Sequence, residues 1–196
     1  MRVRTAIGTA LLTTALAVNG EAQGRGGPSF GVKAGVSAAS FLNADFDSDR
    51  RVGLTAGGYM DYALTSAMDL RIEALYTQKG VATGSTTVAL DYVEVPVLAK
   101  VGFVSEGLTP VLYSGFSAGL KVSAKAGDFD YGDLVHRTEV SWVLGGGLEF
   151  AAGERAILLD VRYTRGLTAV FDFGDPSDSD SDDKNQGISV TIGIGL

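Results

Sequence analysis

Residues 187–196, with the sequence GISVTIGIGL, alternate strictly between two kinds of side chain. The even positions, from Ile188 to Leu196, are all aliphatic, whereas the odd positions carry only glycine, serine or threonine. Successive side chains of a β-strand point to opposite faces. The stretch therefore predicts a strand with one aliphatic face and one small, polar face.

The same period of two continues through most of the chain and predicts an all-β fold. In residues 92–103, for example, apolar side chains occupy the odd positions, and Tyr92, Glu94 and Lys100 lie on the other face. The eight predicted strands lie near residues 30–42, 52–64, 68–79, 90–103, 108–125, 138–150, 155–171 and 187–196.

Composition bounds the class of protein. The 196 residues are 45% hydrophobic and 20% charged, which favours one folded domain over a disordered chain. The net charge of −7 disfavours nucleic-acid binding, which normally needs a basic surface. With no cysteine and a single histidine, the chain has neither a disulfide framework nor the ligands of a typical zinc site. We predict no cofactor and no metal.

The N-terminus has the features of a secretory signal peptide over residues 1–22. Arg2 and Arg4 precede an apolar run at 6–18, and small residues follow at a cleavage site near 20–22. The run is shorter than the roughly 20 residues that a membrane-spanning helix needs. We predict a short N-terminal segment at 23–29 and a β-barrel domain at 30–196. No later stretch is long enough for a spanning helix, but a closed barrel could still cross a membrane.

Connection lengths decide between a soluble and a transmembrane barrel. The predicted connections at 65–67, 104–107 and 151–154 are short. Those that alternate with them, at 43–51, 80–89, 126–137 and 172–186, are long and polar. Short turns at one rim and long loops at the other are typical of outer-membrane barrels, whose apolar face meets lipid.

Aromatic and charged residues support the same orientation. Bilayer interfaces favour aromatic girdles, and a lumen needs compensated charge because an unpaired buried ion costs several kcal/mol. The predicted girdle is Phe30, Tyr62, Phe103 and Phe150 near the short-turn rim, with Tyr76, Trp142 and Phe171 towards the long-loop rim. The predicted polar network of the lumen is Lys33, Asp61, Arg71, Glu73, Tyr92, Glu94, Lys100, Lys121, Glu139, Glu149, Asp160 and Arg162. Lys79, Lys125 and Asp69 share this face, which then carries seven charges of each sign.

Pro96 and the glycines predict local irregularities. Proline cannot donate to a strand ladder, so we expect a bulge or a local break near Glu94–Pro96. Glycines on the polar face, such as Gly31 and Gly145, leave space in a narrow lumen.

Three stretches carry a resemblance to a known family. Residues 90–100, LDYVEVPVLAK, resemble the YLEIPLLLK fourth strand of PorT-type, porin-family outer-membrane β-barrel proteins, which are related in architecture to the OmpX and OmpA barrels. Residues 30–37, FGVKAGVS, are similar to the family's GVKAGLN opening, and residues 145–149 are similarly rich in glycine. The resemblance covers residues 28–196. It implies an eight-stranded antiparallel up-and-down transmembrane β-barrel in the Gram-negative outer membrane, with short periplasmic turns and long extracellular loops. The chain ends in Leu196, where many such barrels have phenylalanine.

No group of residues predicts catalysis. His136 is the only histidine and lies in a long connection, while the nearby Ser141 has lumen-facing parity, so they do not suit a lipid-facing catalytic triad. Residues 172–183 contain six aspartates but lack the glycine and glutamate of a calcium-binding EF-hand loop. We interpret this segment as an acidic loop tip, with weak divalent bridging to lipopolysaccharide phosphates as the alternative.

The predicted function is that of a non-enzymatic outer-membrane protein. Eight strands enclose a lumen that side chains fill, so we do not expect a general diffusion porin. The role would be structural, or would involve surface interactions through the loops. The predicted partners are outer-membrane lipid, lipopolysaccharide, the barrel-assembly machinery and a surface partner, without nucleic acid, and the chain would be a monomer. A soluble lipocalin-like carrier and a narrow ion-conducting pore remain as alternatives.

Overall fold

The computed structural model describes residues 27–41, 51–83, 86–103, 107–126, 129–130, 137–168 and 184–196. The predicted signal peptide, at 1–22, lies outside these ranges. Within them, no helix has the length and apolar character to cross a membrane. The strands are β1 (Ser29–Phe41), β2 (Arg51–Ala63), β3 (Met68–Thr83), β4 (Thr86–Gly102), β5 (Leu108–Ala126), β6 (Phe129–Asp130), β7 (Thr138–Ala152), β8 (Arg155–Gly166) and β9 (Asn185–Gly195).

Eight long strands form a closed antiparallel barrel. Each pairs with its neighbours in the chain, and the pairing of β1 with β9 closes the ring. The two-residue β6 pairs only with the end of β5 and stands outside the ring. The prediction of an eight-stranded up-and-down barrel is confirmed.

The described turns lie at one rim. β2 and β3 are joined by residues 64–67, and β7 and β8 by residues 153–154. Gly107, before β5, and Gly153 have φ angles of +74° and +66°. These angles lie in the left-handed region, which glycine adopts readily because it lacks a Cβ.

Two predicted boundaries at the other rim were wrong. The long connection expected at 80–89 is mostly strand, because β3 and β4 stay paired from Gly80↔Ala89 to Thr83↔Thr86. Alternation in this segment is weak, so the pattern concealed the extended hairpin. β8 ends at Gly166 rather than near residue 171.

The aliphatic face of the sheet lies outside the barrel. Val95, Leu159 and Ile192 are 45%, 43% and 56% exposed, whereas Arg71 and Glu73 are 0% and 1% exposed. Charged side chains thus occupy the centre of the molecule. This inverted polarity suits a barrel whose outer face is in lipid.

Pro96 lies where the pairing of β3 with β4 is interrupted, although the register is the same on both sides. The pairing runs to Ile72↔Val97 and resumes at Leu75↔Glu94, while the pairing of β4 with β5 continues through Pro96↔Ser117. The missing N–H of proline accounts for the break on the β3 side. The register irregularity between β4 and β5 lies earlier, between Asp91 and Tyr92.

Candidate functional site

Three clusters of ion pairs succeed one another along the lumen. We call them the lower, middle and upper clusters, counting from the short-turn rim. The lower cluster contains Asp61, Asp69, Arg71, Lys100 and Glu149. The middle cluster contains Lys33, Glu73, Tyr113, Asp160 and Arg162. The upper cluster contains Lys79, Glu94, Glu139, Ser141 and Asn185.

The lower cluster is built around a two-pronged contact. Arg71 donates from Nε to Asp61 Oδ1 at 2.6 Å and from Nη2 to Asp61 Oδ2 at 2.7 Å. Lys100 Nζ also reaches Asp61 Oδ2, at 2.8 Å, and Glu149 Oε1, at 3.0 Å. The guanidinium of Arg71 lies 4.4 Å from the ring centre of Tyr59. Such paired, charge-assisted contacts hold both partners in one geometry.

The middle cluster joins distant strands of the ring. Arg162, on β8, donates from Nη1 and Nη2 to the two carboxylate oxygens of Glu73, on β3, at 2.7 and 2.9 Å. Lys33, on β1, lies 3.2 Å from Glu73 Oε1 and 3.4 Å from Asp160 Oδ1. Tyr113, on β5, donates to Asp160 Oδ2 at 2.6 Å. These contacts extend across the interior from one wall to another.

The upper cluster surrounds one lysine. Lys79 Nζ lies 2.7 Å from Glu94 Oε1 and 2.6 Å from Glu139 Oε1. Glu139 also accepts hydrogen bonds from Ser141 Oγ, at 2.9 Å, and from Asn185 Nδ2. Its carboxylate is therefore held by β3, β7 and β9 at once.

Little open space remains between the clusters. A cavity of about 40 Å³ lies between the middle and upper clusters. This is enough for about three waters at 10–15 Å³ each. Buried Ser117 and Asn185 line it, and Ser117 Oγ and Asn185 Oδ1 have no hydrogen-bond partner in the described part of the chain. At the short-turn rim, a vestibule of about 270 Å³ is lined by residues that include Asp61, Lys100 and Glu149.

Two tyrosines lie over glycines on the neighbouring strand. Tyr59 is paired with Gly31, and Tyr113 with Gly145. A Cβ built on either glycine would fall 2.3 Å from an atom of the tyrosine. The glycines thus make room for aromatic rings that contact the ion pairs.

Most of the sequence-predicted lumen residues come together in these clusters. Tyr92 is buried beside Lys79, whose Nζ lies 5.1 Å from the ring centre. Lys121 is half-buried and has an interaction partner. The predicted network did not include Tyr59, Tyr113 or Asn185. The inward parity of the tyrosines opposite glycines could have indicated the first two.

The predicted girdle residues lie on the outer face where they are described. Phe30, Tyr62, Phe103 and Tyr76 are exposed, and Trp142 and Phe150 are half-buried. The indole Nε1 of Trp142 donates to Ser114 Oγ at 3.1 Å. Phe171 lies outside the described residues.

The geometry at Ser141 does not suit a surface nucleophile. Its side chain is buried in the lumen, and its hydroxyl donates to the carboxylate of Glu139, which also pairs with Lys79. His136 lies outside the described residues.

Known barrels share this fold at low sequence identity. Neisserial surface protein A is 15% identical, with 86% of this chain and 96% of that chain covered and a TM-score of 0.60. The outer membrane enzyme PagL is 16% identical, with coverages of 83% and 97% and a TM-score of 0.51. The outer membrane protein OprG from Pseudomonas aeruginosa is 10% identical, with coverages of 89% and 98% and a TM-score of 0.51. The comparison with curated proteins gave no match.

A family comparison places the chain in the outer membrane. The model of the outer membrane protein beta-barrel domain matches residues 21–172, which is most of the chain. The soluble, lipocalin-like alternative is thereby wrong; that alternative also needs an apolar interior, whereas this interior is ionic. The protein therefore belongs to the outer membrane protein beta-barrel domain family.

Proposed function

We propose that this protein is a non-enzymatic outer-membrane barrel with a plugged lumen. Its role is structural, or is carried out by the extracellular loops in contacts with surface partners, and it is not a general diffusion porin. The observation that carries the proposal is that three ion-pair clusters succeed one another along the lumen. Arg71, Glu73 and Arg162, which belong to them, are all buried.

The middle cluster supports the plug most directly. A solute crossing the lumen must separate the Arg162–Glu73 pair, which is made by two hydrogen bonds. Separating a buried pair leaves uncompensated charge and costs about 3–5 kcal/mol. That cost opposes spontaneous opening to a width that sugars need.

Solute flux tests the plug. Purified protein in liposomes should give no swelling in response to small sugars, and planar bilayers should show no large, stable conductance steps. A general diffusion porin in the same lipid is the positive control. Sugar-driven swelling at a rate close to that of the porin would contradict the proposal.

A narrow ion-conducting pore is the second candidate. The cavity above the middle cluster and the vestibule below it favour this candidate, because together they shorten the dry part of the lumen. If ions pass, Glu94→Ala should change the conductance, since Glu94 lines the cavity and pairs with Lys79. Small, reproducible steps that respond to Glu94→Ala, without sugar flux, would favour the pore over the plug.

Absence of enzyme activity is part of the proposal, since PagL shares this fold and is described as an outer membrane enzyme. The lumen position of Ser141 supports it. Purified protein incubated with phosphorylated or acylated outer-membrane lipid should release neither phosphate nor fatty acid. Release that Ser141→Ala or His136→Ala abolishes would overturn it.

The partners follow from the location. We propose contacts with outer-membrane lipid and lipopolysaccharide, insertion by the barrel-assembly machinery after export by a signal peptide at 1–22, and a monomeric barrel. The acidic segment at 172–183 and the other long loops would meet surface partners. A binding screen of variants that each lack one long loop would identify the loop that makes such a contact.

A further inference from the structure

Charge is rare on the outer face of the barrel. Among strand residues whose side chains the structure describes, only Asp91, Arg155 and Arg165 combine outward parity with a charge. Hydrocarbon disfavours charges, so each of these positions requires an explanation.

Asp91 and Arg165 both lie towards the long-loop rim, but their contacts differ. Asp91 has partners within the protein, since Tyr76 Oη donates to its Oδ2 at 2.9 Å and Arg51 Nη1 lies 3.7 Å from its Oδ1. Arg165 is exposed, and no residue in the described part of the chain pairs with its guanidinium. Within the described residues, the outward anion therefore has partners and the outward cation has none.

Arg165 lies at the depth of the bilayer interface. It is the last residue but one of β8, and it is paired with Trp142 on β7 and Gln186 on β9. Tryptophan concentrates at membrane interfaces. The Trp142 N–H is bonded to Ser114 and is therefore not offered to lipid. Lys184, two residues before Gln186, adds a second cation at the same end of the β8–β9 pair.

We infer that Arg165 binds a phosphate group of a glycolipid in the outer leaflet. The long loops of outer-membrane barrels face the exterior, so Arg165 lies at the headgroup level of that leaflet. A guanidinium matches the two oxygens of a phosphate with parallel N–H donors. The neighbouring Trp142 ring would contact the acyl chains of the same lipid, below its phosphate. This inference rests on the membrane location of the barrel and is independent of whether the lumen conducts.

A matched control lies on the same strand. Arg155 has the same outward parity as Arg165 but begins β8 at the short-turn rim. The two residues are ten positions apart, about 33 Å along a strand. Arg155→Gln therefore removes the same charge from the same strand at the opposite leaflet.

Native mass spectrometry of the purified full chain tests the inference. The probes are diphosphorylated lipid A and the same lipid A without phosphates. We expect Arg165→Gln to weaken binding of the diphosphorylated lipid about tenfold, as expected from the loss of a charged hydrogen bond. Arg155→Gln should leave it unchanged, and wild type should bind the phosphate-free lipid as weakly as Arg165→Gln binds the phosphorylated one.

Three outcomes would overturn the inference. They are equal losses for the two variants, no discrimination by wild type between the two lipids, and full binding after Arg165→Gln. The last would also follow if the aspartates at 172–183 already neutralised Arg165. Arg165→Lys, which keeps the charge, should retain part of the affinity, and an intact heat-dependent gel shift for each variant excludes misfolding as the cause.

Discussion

At the scale of single residues, the lumen depends on small residues beside large ones. Gly145 leaves room for Tyr113, and Tyr113 holds Asp160 in the middle cluster. Because the ring stands where a Cβ would be, a methyl group at position 145 must displace it. The stability of the ion pairs is thereby linked to a residue that carries no functional group.

Gly145→Ala should lower the free energy of unfolding by about 1–3 kcal/mol, through overpacking and loss of the Tyr113–Asp160 hydrogen bond. Urea unfolding in lipid vesicles measures it, and Trp142 is the only tryptophan, so its fluorescence reports the transition. Gly119→Ala is the control, because its nearest contact would be an ordinary 3.4 Å. Equal effects of the two substitutions would refute the packing argument.

The Arg162–Glu73 pair gives a second prediction. Arg162→Met should destabilise the barrel by about 3–5 kcal/mol, because it leaves Glu73 undercompensated. The double variant Arg162→Met, Glu73→Met should lose less than the single one, since Lys33 and Asp160 still neutralise each other. The same unfolding assay compares the two. A double variant less stable than Arg162→Met would show that the charge imbalance is not the cause.

At the scale of the elements, the short turns are determined by backbone conformation. Gly107 and Gly153 adopt left-handed angles at the ends of strands, and a Cβ at either would meet open space. Any cost of substitution at these sites therefore comes from the backbone alone.

Gly153→Ala and Gly107→Ala should each cost about 1–2 kcal/mol of unfolding free energy, because alanine resists left-handed angles. Gly102→Ala, at the same rim without a positive φ, is the control and should cost less. Denaturant midpoints of the three variants, measured in one lipid, decide the matter. An unchanged midpoint for Gly153→Ala would show that the turn relaxes into another conformation.

The strands show why part of the fold was predictable. β9 has aliphatic residues at every even position, so its parity was unambiguous. Lys33, Arg71 and Glu94, which have inward parity, are all buried. Parity gives a side chain's direction but not its partner. The contact of Arg162 with Glu73 joins β8 to β3, and the closeness of these strands depends on how the closed ring brings distant walls together. The extension of β3 and β4 was missed because alternation is weak above Lys79.

At the scale of the whole molecule, the barrel should form without its longest acidic segment. The pairing of β8 with β9 begins at Arg165↔Gln186 and does not include residues 172–183. Deleting these residues should leave the heat-dependent gel shift intact. Deleting residues 187–196, which pair with both β1 and β8, should abolish it. A loss of the shift after the first deletion would show that the acidic segment contributes to folding.

The seam between β1 and β9 has a consequence for biogenesis. The earliest strand to emerge during export must wait for the latest one before its hydrogen-bonding groups are all satisfied. Until then, two edge strands are unpaired, and they are accessible to proteases and to pairing with other chains. A chain that ends before β9 would therefore leave the edges of β1 and β8 unpaired.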